Sequence, residues 1–349
     1  MRHRYGARPS TPRAGSLHYR DYAAPPPAPG FVVTPEAGAQ AVLDQGSSDQ
    51  CVSFSATAAL TVLQAQSGQQ PVTASPPFVY GEGHRIAQDS EEGMQPAWAW
   101  DALQQVGACP WSLDPPSATN GNVAGSEGSI TAAMVTAAAA LRIRGAAIVP
   151  WDPGDMASAL ARTAVLVTGP VYPAFEQPIN VAIAPLPAEA QRLFGIGTPA
   201  AVQPGAWMGQ ALLGYHQWEV LAEIPGAMLA DAGPEFAAVP SWYLCQNSWG
   251  TGWASGGRFL LPCTYPTQEA WQMTGLLSQP VQPTAGTVVV MTIGSTAYLV
   301  DGATYQMDQA PEIDQQTGRT LVPVRFCAEA LGARVAWNAA TKQVTLTRQ

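Results

Sequence analysis

Charged side chains are scarce in this chain, and most of those present are acidic. There are 16 Lys and Arg and 25 Asp and Glu among 349 residues, which gives a net charge of −9. Outside the start Met1-Arg-His-Arg4, no window concentrates Lys and Arg. Proteins that bind nucleic acids carry a basic surface that neutralises phosphates. The sequence therefore predicts no nucleic-acid partner.

Long apolar runs are also absent. No stretch reaches the ~20 apolar residues that a membrane-spanning helix needs, and no uninterrupted apolar stretch follows the first arginines. We therefore expect neither a transmembrane segment nor a secretory signal. The low charge and the many Ser, Thr, Gln, Pro and Gly residues favour an extracellular or cell-surface location, although composition leaves the compartment open.

Cysteines are few, and none of them forms a Cys-x-x-Cys pair, which argues against a zinc or redox motif. Their number is odd, so at least one thiol is expected to be unpaired. The sequence predicts no metal and no cofactor. The cysteines lie at wide spacing: Cys51, Cys109, Cys245, Cys263 and Cys327.

Apolar side chains make up 47% of the chain, enough for two folded domains. Residues 1–34 are a Pro- and Ala-rich arm, which we expect to lie extended along a domain surface. Residues 35–277 form the main domain. Residues 278–286 contain two prolines and a glycine and are predicted to be a linker before a small domain at 287–349.

The order of the predicted elements indicates the fold class of the main domain. Helices come first and strands later, so we predict an α+β domain with a helical half and a β-rich half. The predicted helices are Cys51–Leu63, Ala97–Val106 and Ile130–Leu141, and the predicted strands are Leu213–Ile224, Ser241–Asn247 and Gly257–Leu261.

The start of the first helix carries a candidate nucleophile. A helix N-terminus favours negative charge and lowers the pKa of a thiol, and Cys51 stands where the helix begins. A turn-rich segment precedes it and includes Gln45, whose amide could donate to a developing oxyanion. A lone cysteine among small residues is usually a packing residue, so the interpretation depends on the partners of Cys51.

Three segments supply those partners and resemble the papain family of cysteine peptidases over roughly residues 35–275. They are Gln45-Gly-x-x-x-x-Cys51 with Ser-Phe-Ser-Ala after Val52, then Leu213-Gly-Tyr-His216, then Tyr243-Leu-Cys-Gln-Asn-Ser-Trp-Gly-Thr-Gly-Trp253. The resemblance implies a two-lobed papain-like fold that hydrolyses peptides. It also implies catalytic roles for four residues: Cys51 as nucleophile, His216 as base, Asn247 as its orienter and Gln45 in the oxyanion hole.

The same resemblance implies contacts with substrate. The segment with Gly93 and Met94 matches the part of the family that lines the substrate cleft, and Trp249 is expected to shield the bond between Asn247 and His216 from water. Since only the proline-rich arm precedes Gln45 in this sequence, we expect no counterpart of the family's long inhibitory segment.

Strand alternation supports the choice of histidine and of its orienter. It puts His216 and Trp218 on the buried face of a strand and Glu219 on the other face, away from the imidazole. Asn247 is therefore the better orienter. The competing histidine, His84, is interpreted as a loop residue.

The C-terminal residues resemble a small domain known as copper amine oxidase N-terminal-like. The resemblance is carried by Gly318-Arg-Thr-Leu-Val-Pro-Val-Arg-Phe-Cys-Ala-Glu-Ala-Leu-Gly-Ala-Arg-Val-Ala-Trp337 and by Thr341-Lys-Gln-Val-Thr-Leu346. It implies a compact α+β module, often attached to bacterial surface or secreted proteins. No histidine follows His216, which excludes an imidazole copper site, so we expect this module to dock onto another protein or a surface.

Three functions remain open from the sequence. The first is a thiol endopeptidase acting on a peptide or protein substrate. The second is a structural or adhesive component of a surface layer, filament or other assembly that reuses a papain-like scaffold with weak or no turnover. The third is a transferase or isopeptidase that uses the same thiol chemistry.

Overall fold

The computed structural model divides the chain into two compact units, Met1–Gln279 and Pro280–Gln349. It describes residues 5–9, 17–19, 30–114, 130–180, 186, 188–195, 199–273, 275–276, 289–300, 303–315, 317–330, 333–338 and 341–348. The proline run Ala24–Pro29 and the predicted linker lie outside the described residues.

The larger unit is built around one long helix, α1, at Cys51–Gln66. Its sequence has no Gly or Pro, and small residues at many positions let neighbouring elements approach on all sides. Every residue from Cys51 to Gln64 is buried. The predicted helix at Cys51–Leu63 is confirmed.

Seven further helices lie in the described part of the larger unit, and one more lies in the smaller unit. The helices predicted near Ala97 and Ile130 are confirmed with small shifts of their ends. The bounds are α2 Pro76–Ala87, α3 Pro96–Gln105, α4 Ala132–Ala138, α5 Pro153–Leu160, α6 Pro173–Glu176, α7 Ala188–Phe194, α8 Pro234–Ala237 and α9 Val324–Ala330.

Helix α2 was not predicted from the sequence, and the position of His84, which lies in this helix, was therefore not predicted either. Ser75 caps the helix by accepting a hydrogen bond from the Phe78 backbone N–H at 3.2 Å. The two prolines that follow occupy the first turn, where proline costs no hydrogen bond. The interpretation of His84 as a loop residue is therefore wrong, because it lies buried in α2.

Ten strands of the larger unit form a single sheet in the order β1-β3-β10-β4-β7-β8-β9-β6-β5, with β2 paired to β7. Strands β7, β8 and β9 confirm the three predicted strands. The bounds are β1 Leu17–His18, β2 Val32–Val33, β3 Ala146–Ile148, β4 Val165–Val171, β5 Ile179–Asn180, β6 Ala200–Ala201, β7 Gly214–Pro225, β8 Ser241–Gln246, β9 Arg258–Pro262 and β10 Glu269–Met273.

Two large hydrophobic clusters form the core of the larger unit. One joins α1, α2 and α3 to one face of the sheet. The other fills the β-rich half around Phe175, whose ring lies 5.0 Å from those of Trp218 and Phe259. The predicted α+β architecture, with a helical and a β-rich half, is thus confirmed.

Strand β7 is buried on both faces, which simple alternation did not anticipate. Gln217 donates from its amide to the Ser55 hydroxyl of α1 at 2.9 Å and accepts from the Thr168 hydroxyl at 3.1 Å. Glu219 is also buried. The polar face of β7 is therefore covered by α1, and its amide and hydroxyl groups are paired rather than solvated.

The burial of Glu219 predicts an unusual pH dependence of stability. Burial raises the pKa of Glu219 to about 8. A hydrogen bond with the Gln40 side chain and the positive charge of Arg258 lower it, but by less than burial raises it. Because this carboxyl ionises with a pKa near 4.5 in the unfolded chain, folding keeps a proton that the unfolded chain loses, and stability falls as pH rises from about 4.5 to about 8. We expect Glu219→Gln to raise the free energy of unfolding on the order of a few kcal/mol at pH 8 and little at pH 4.

Urea unfolding at the two pH values measures this difference, with Glu235→Gln on the exposed part of α8 as the matched control. A gain of the same size at both pH values would contradict a proton retained on Glu219.

The smaller unit consists of short antiparallel pairs and the helix α9. The pairs are β11–β12–β13 at Val289–Met291, Ala297–Val300 and Ala303–Gln306, β14–β15 at Glu312–Ile313 and Thr320–Leu321, and β16–β17 at Ala333–Asn338 and Gln343–Arg348.

Among the described residues, no helix combines the length and apolar character that crossing a bilayer requires.

Candidate active site

Cys51 is the first residue of α1 and is fully buried. Burial raises the pKa of its thiol to about 12, and hydrogen bonds from the backbone N–H groups of Gln217, Gly6 and Val52 oppose that rise. The bond from Gln217 places the sulfur beside the residue that follows His216. While Cys51 is buried in this way, its thiol keeps its proton at neutral pH.

His216 is held by Asn247, which follows the end of β8. The His216 Nε2 atom lies 2.7 Å from Asn247 Oδ1, and the Ser248 backbone N–H donates to the same oxygen at 2.8 Å. Since an amide oxygen only accepts, Nε2 carries the proton in the neutral ring. Nδ1 is then the ring nitrogen with a lone pair for exchanging a proton.

Two aromatic rings enclose the imidazole of His216. The Trp249 ring lies 4.8 Å from it at an interplanar angle of 38°, and the Phe175 ring meets it edge-on at 6.4 Å. His216, Trp249 and Phe175 are all buried. The bond between His216 and Asn247 is therefore made in an apolar environment, where it is stronger than in water.

Gln45 is fixed to the segment that carries Asn247. Its amide nitrogen donates to the Ser48 carbonyl at 2.7 Å, and its amide oxygen accepts from the Ser248 hydroxyl at 2.5 Å. Its backbone N–H also donates to the Ser248 carbonyl at 2.8 Å. These bonds tie the approach to Cys51 to the β-rich half and fix the orientation of the Gln45 amide.

The N-terminal arm enters this site, contrary to the expectation that it lies along a domain surface. The Ala7 N–H donates to the Tyr215 carbonyl at 3.2 Å, the Arg8 N–H to the Met94 carbonyl at 2.9 Å, and the Met94 N–H to the Gly6 carbonyl at 2.7 Å. Gly6 and Ala7 are buried. Backbone pairing on two sides therefore holds the arm between Met94 and the start of β7.

Tyr5 covers the histidine from the same arm. Its ring lies 6.5 Å from that of His216 and 6.2 Å from that of Trp249, and its hydroxyl donates to Glu176. Gly6 lies so close to Asp49 that a Cβ atom there would overlap the Asp49 carbonyl. Only glycine fits at this point of the arm.

The two residues expected to contact substrate differ in their bonding. Gly93 has a φ of +84°, and its N–H is already given to the Tyr80 hydroxyl at 3.0 Å. Met94 instead offers both its N–H and its carbonyl to the arm. Met94 is thus the residue whose backbone pairs with an extended chain.

Sequence reasoning missed the arm as part of the site. The segment Tyr5-Gly-Ala-Arg8 has no periodicity or motif that distinguishes it from the rest of the arm. The one physical signal, the lack of a side chain at Gly6, has a meaning only once Asp49 is known to lie against it.

The competing histidine belongs to a different environment. His84 packs between the rings of Tyr80 and Trp98 at 4.4 and 5.2 Å, and its Nδ1 lies 2.8 Å from the Asp89 carbonyl oxygen. His84 therefore joins α2 to α3, while His216 is the histidine held by Asn247.

Within the described part of the chain, no three His, Cys, Asp or Glu side chains are grouped so that they could hold a metal ion. All five cysteines are present as free thiols.

Comparisons with known proteins separate the two units. A model of the copper amine oxidase N-terminal domain matches residues 279–346. Among solved structures, the chain is similar to xylellain, a cysteine protease from Xylella fastidiosa, with a TM-score of 0.58 and 18% identity over 78% of this chain and 96% of that chain.

A second similar structure is digestive procathepsin L 3 of the Tenebrio molitor larval midgut, with a TM-score of 0.50 and 16% identity over 74% of this chain and 73% of that chain. Comparison with curated protein sequences finds no match. At these identities the structural likeness establishes the fold. The larger unit therefore has the papain-like cysteine protease fold, and residues 279–346 match the copper amine oxidase N-terminal domain family.

Proposed function

We propose that the larger unit is a cysteine endopeptidase that hydrolyses peptide bonds with Cys51 as nucleophile. The observation that carries the proposal is the bond from His216 to Asn247, made one residue before Gln217, whose backbone N–H donates to the thiol of Cys51 at the start of α1. This arrangement leaves Nδ1 of His216 as a base and gives the thiolate a helix N-terminus that stabilises its charge.

The proposed reaction begins when His216 Nδ1 takes the proton of the Cys51 thiol. The thiolate attacks the substrate carbonyl carbon, a C–S bond forms, and the carbonyl electron pair moves to oxygen. The Gln45 amide and the Cys51 N–H donate to that oxyanion. When it collapses, the C–N bond breaks and the imidazolium protonates the leaving amine.

Water completes the cycle. His216 takes a proton from a water molecule while the water oxygen attacks the carbonyl carbon of the thioester. The C–S bond then breaks and the acid product leaves. The imidazolium returns its proton to the Cys51 sulfur, which restores the thiol. Asn247 keeps the imidazole in one tautomer and orientation throughout, and Trp249 keeps water away from their bond. Gly93 and Met94 would line the substrate side, with the Met94 backbone pairing with the peptide.

For the C-terminal unit we propose a docking role without a part in the chemistry. The hairpin β16–β17 exposes Trp337, Val344 and Leu346, which are 53%, 49% and 51% accessible. Exposed apolar side chains of this kind favour contact with another protein.

One labelling experiment tests both proposals. A peptide vinyl sulfone or epoxide should label Cys51 in the full chain and equally in a chain that ends at Gln279, and Cys51→Ala should remove the label from both. No label on folded full-length Gly6→Ala protein, in which the arm cannot keep its position over Cys51, would contradict the thiol mechanism. Label that is lost on truncation alone would contradict an accessory role for residues 280–349.

A second candidate is a structural component of an assembly. Its support is the resting state of the thiol, since the arm fills the site and burial raises the pKa of Cys51 to about 12. The absence of labelling just described would favour this candidate over the peptidase.

A further inference from the structure

The arm also carries a positive charge, the guanidinium of Arg8, which is held in a defined position next to Met94. Arg8 donates from its two terminal nitrogens to the Asp89 carboxylate at 2.9 and 3.2 Å. Glu91 lies 3.4 Å away, and the guanidinium sits over the Trp98 ring, 4.8 Å from its centre. We call Asp89, Glu91 and Trp98 the basic-residue subsite.

The arrangement has the chemistry of a site for one cation. A carboxylate that accepts two parallel N–H bonds fixes a guanidinium in its plane, and the face of an indole ring attracts the same cation. Arg8 and Asp89 are each about a quarter exposed, with accessible side-chain fractions of 28% and 24%. The charge is thus partly shielded from solvent, which strengthens its attraction to the carboxylate.

The position of this subsite relative to the nucleophile identifies the part of a substrate that would reach it. The leaving amine must receive its proton from His216, so it lies on the side of His216 and Trp249, where Tyr5 sits. The arm passes the sulfur at Gly6 and reaches Asp89 with Arg8 on the opposite side. A side chain in the basic-residue subsite would therefore belong to the acyl part of a substrate.

The arm itself is bound in an unreactive way. The N–H of Gly6 is directed at the Cys51 sulfur, and the Gly6 carbonyl is directed at the Met94 N–H. The sulfur thus faces a donor and not a carbonyl carbon. Arg8 can fill the subsite without the arm being attacked at Gly6.

We propose that Asp89, Glu91 and Trp98 select an Arg or Lys side chain in the acyl part of the peptide substrate, and that Arg8 fills this subsite until substrate displaces it. The proposal rests on the proposed peptidase function, which it deepens by naming the class of substrate. Arg is expected to be preferred over Lys, because only its planar fork can make both bonds to Asp89.

The test uses the full chain with Arg8→Ala and two series of peptides that differ only by Arg or Leu at successive acyl positions. At one position, Arg should raise kcat/KM roughly tenfold or more over Leu. The preference should fall to near unity in Asp89→Asn with Glu91→Gln. Both replacements keep the side-chain shape, and asparagine at position 89 keeps the oxygen that accepts the Glu91 backbone N–H.

Two further variants distinguish a specific loss of the Arg preference from a loss of folding. Glu91→Lys changes a side chain that is 81% exposed, and it should shift the preference away from Arg and towards Glu. Glu235→Lys on the remote surface of α8 is the matched charge reversal and should leave the preference unchanged.

Binding measured without turnover separates this proposal from the peptidase function. Fluorescence anisotropy with Cys51→Ala and Arg8→Ala combined should show tighter binding of the Arg peptide than of the Leu peptide. Cleavage or binding without preference for Arg would overturn the subsite and leave the peptidase standing. Preferential binding of the Arg peptide, with no cleavage by the Arg8→Ala protein that keeps Cys51, would overturn the proposed peptidase function and support the subsite.

Discussion

Replacing Gly6 by alanine is expected to displace the arm and to raise the rate at which Cys51 is alkylated at neutral pH at least ~10-fold. The added Cβ would overlap the Asp49 carbonyl, so the arm cannot keep its position. Water then reaches the sulfur, and the loss of burial lowers a pKa that burial now raises to about 12. Each unit by which the pKa falls gives about ten times more thiolate at neutral pH.

The pH dependence of iodoacetamide modification, followed by intact mass, measures this change. Gly252→Ala is the matched control, because that glycine is exposed and has no atom near the added Cβ. An alkylation profile that does not change with Gly6→Ala would show that the arm does not control access to Cys51.

The second large effect concerns the four residues of the proposed mechanism, measured in the Gly6→Ala background. Cys51→Ala and His216→Ala should each abolish peptide hydrolysis, because one removes the nucleophile and the other its base. Gln45→Ala should reduce kcat roughly a hundredfold or more, as expected for the loss of one oxyanion donor. Asn247→Ala should cost less, because the imidazole remains and only its orientation is lost.

The remaining histidine of the core provides the control for this series. His84→Gln removes an imidazole of similar burial from α2 and should retain hydrolysis if the protein folds, which circular dichroism would verify. Hydrolysis that disappears in His84→Gln and persists in His216→Ala would reverse the assignment of the base.

The helix of Cys51 and the strand of His216 could be predicted because local sequence determines both. The run from Cys51 to Gln66 contains no helix breaker, and β7 alternates apolar and polar residues over most of its length. The common role proposed for Cys51, His216 and Asn247 was predicted only through the resemblance of their segments to one family. Spacing along the chain contains no information about which of these residues act together.

The features that sequence reasoning did not find depend on tertiary contacts. Helix α2 begins with two prolines, and prolines usually indicate a loop when only the sequence is considered. The helix places His84 in the core. The polar residues of β7 imply a solvated face, yet Gln217 is paired with Ser55 of α1. The arm lacks an intrinsic pattern, and only its backbone pairing with Met94 and Tyr215 gives it a fixed place.

Detection of an acyl group on Cys51 tests directly whether this thiol is the nucleophile. The Gly6→Ala protein would be mixed with an Arg-containing peptide ester, quenched in acid within the first turnovers and analysed by mass spectrometry. We expect a transient adduct with the mass of the peptide acyl group on the tryptic fragment that contains Cys51, followed by its loss to water. Turnover of the same peptide by Cys51→Ala, or cleavage without any acylated Cys51, would contradict it.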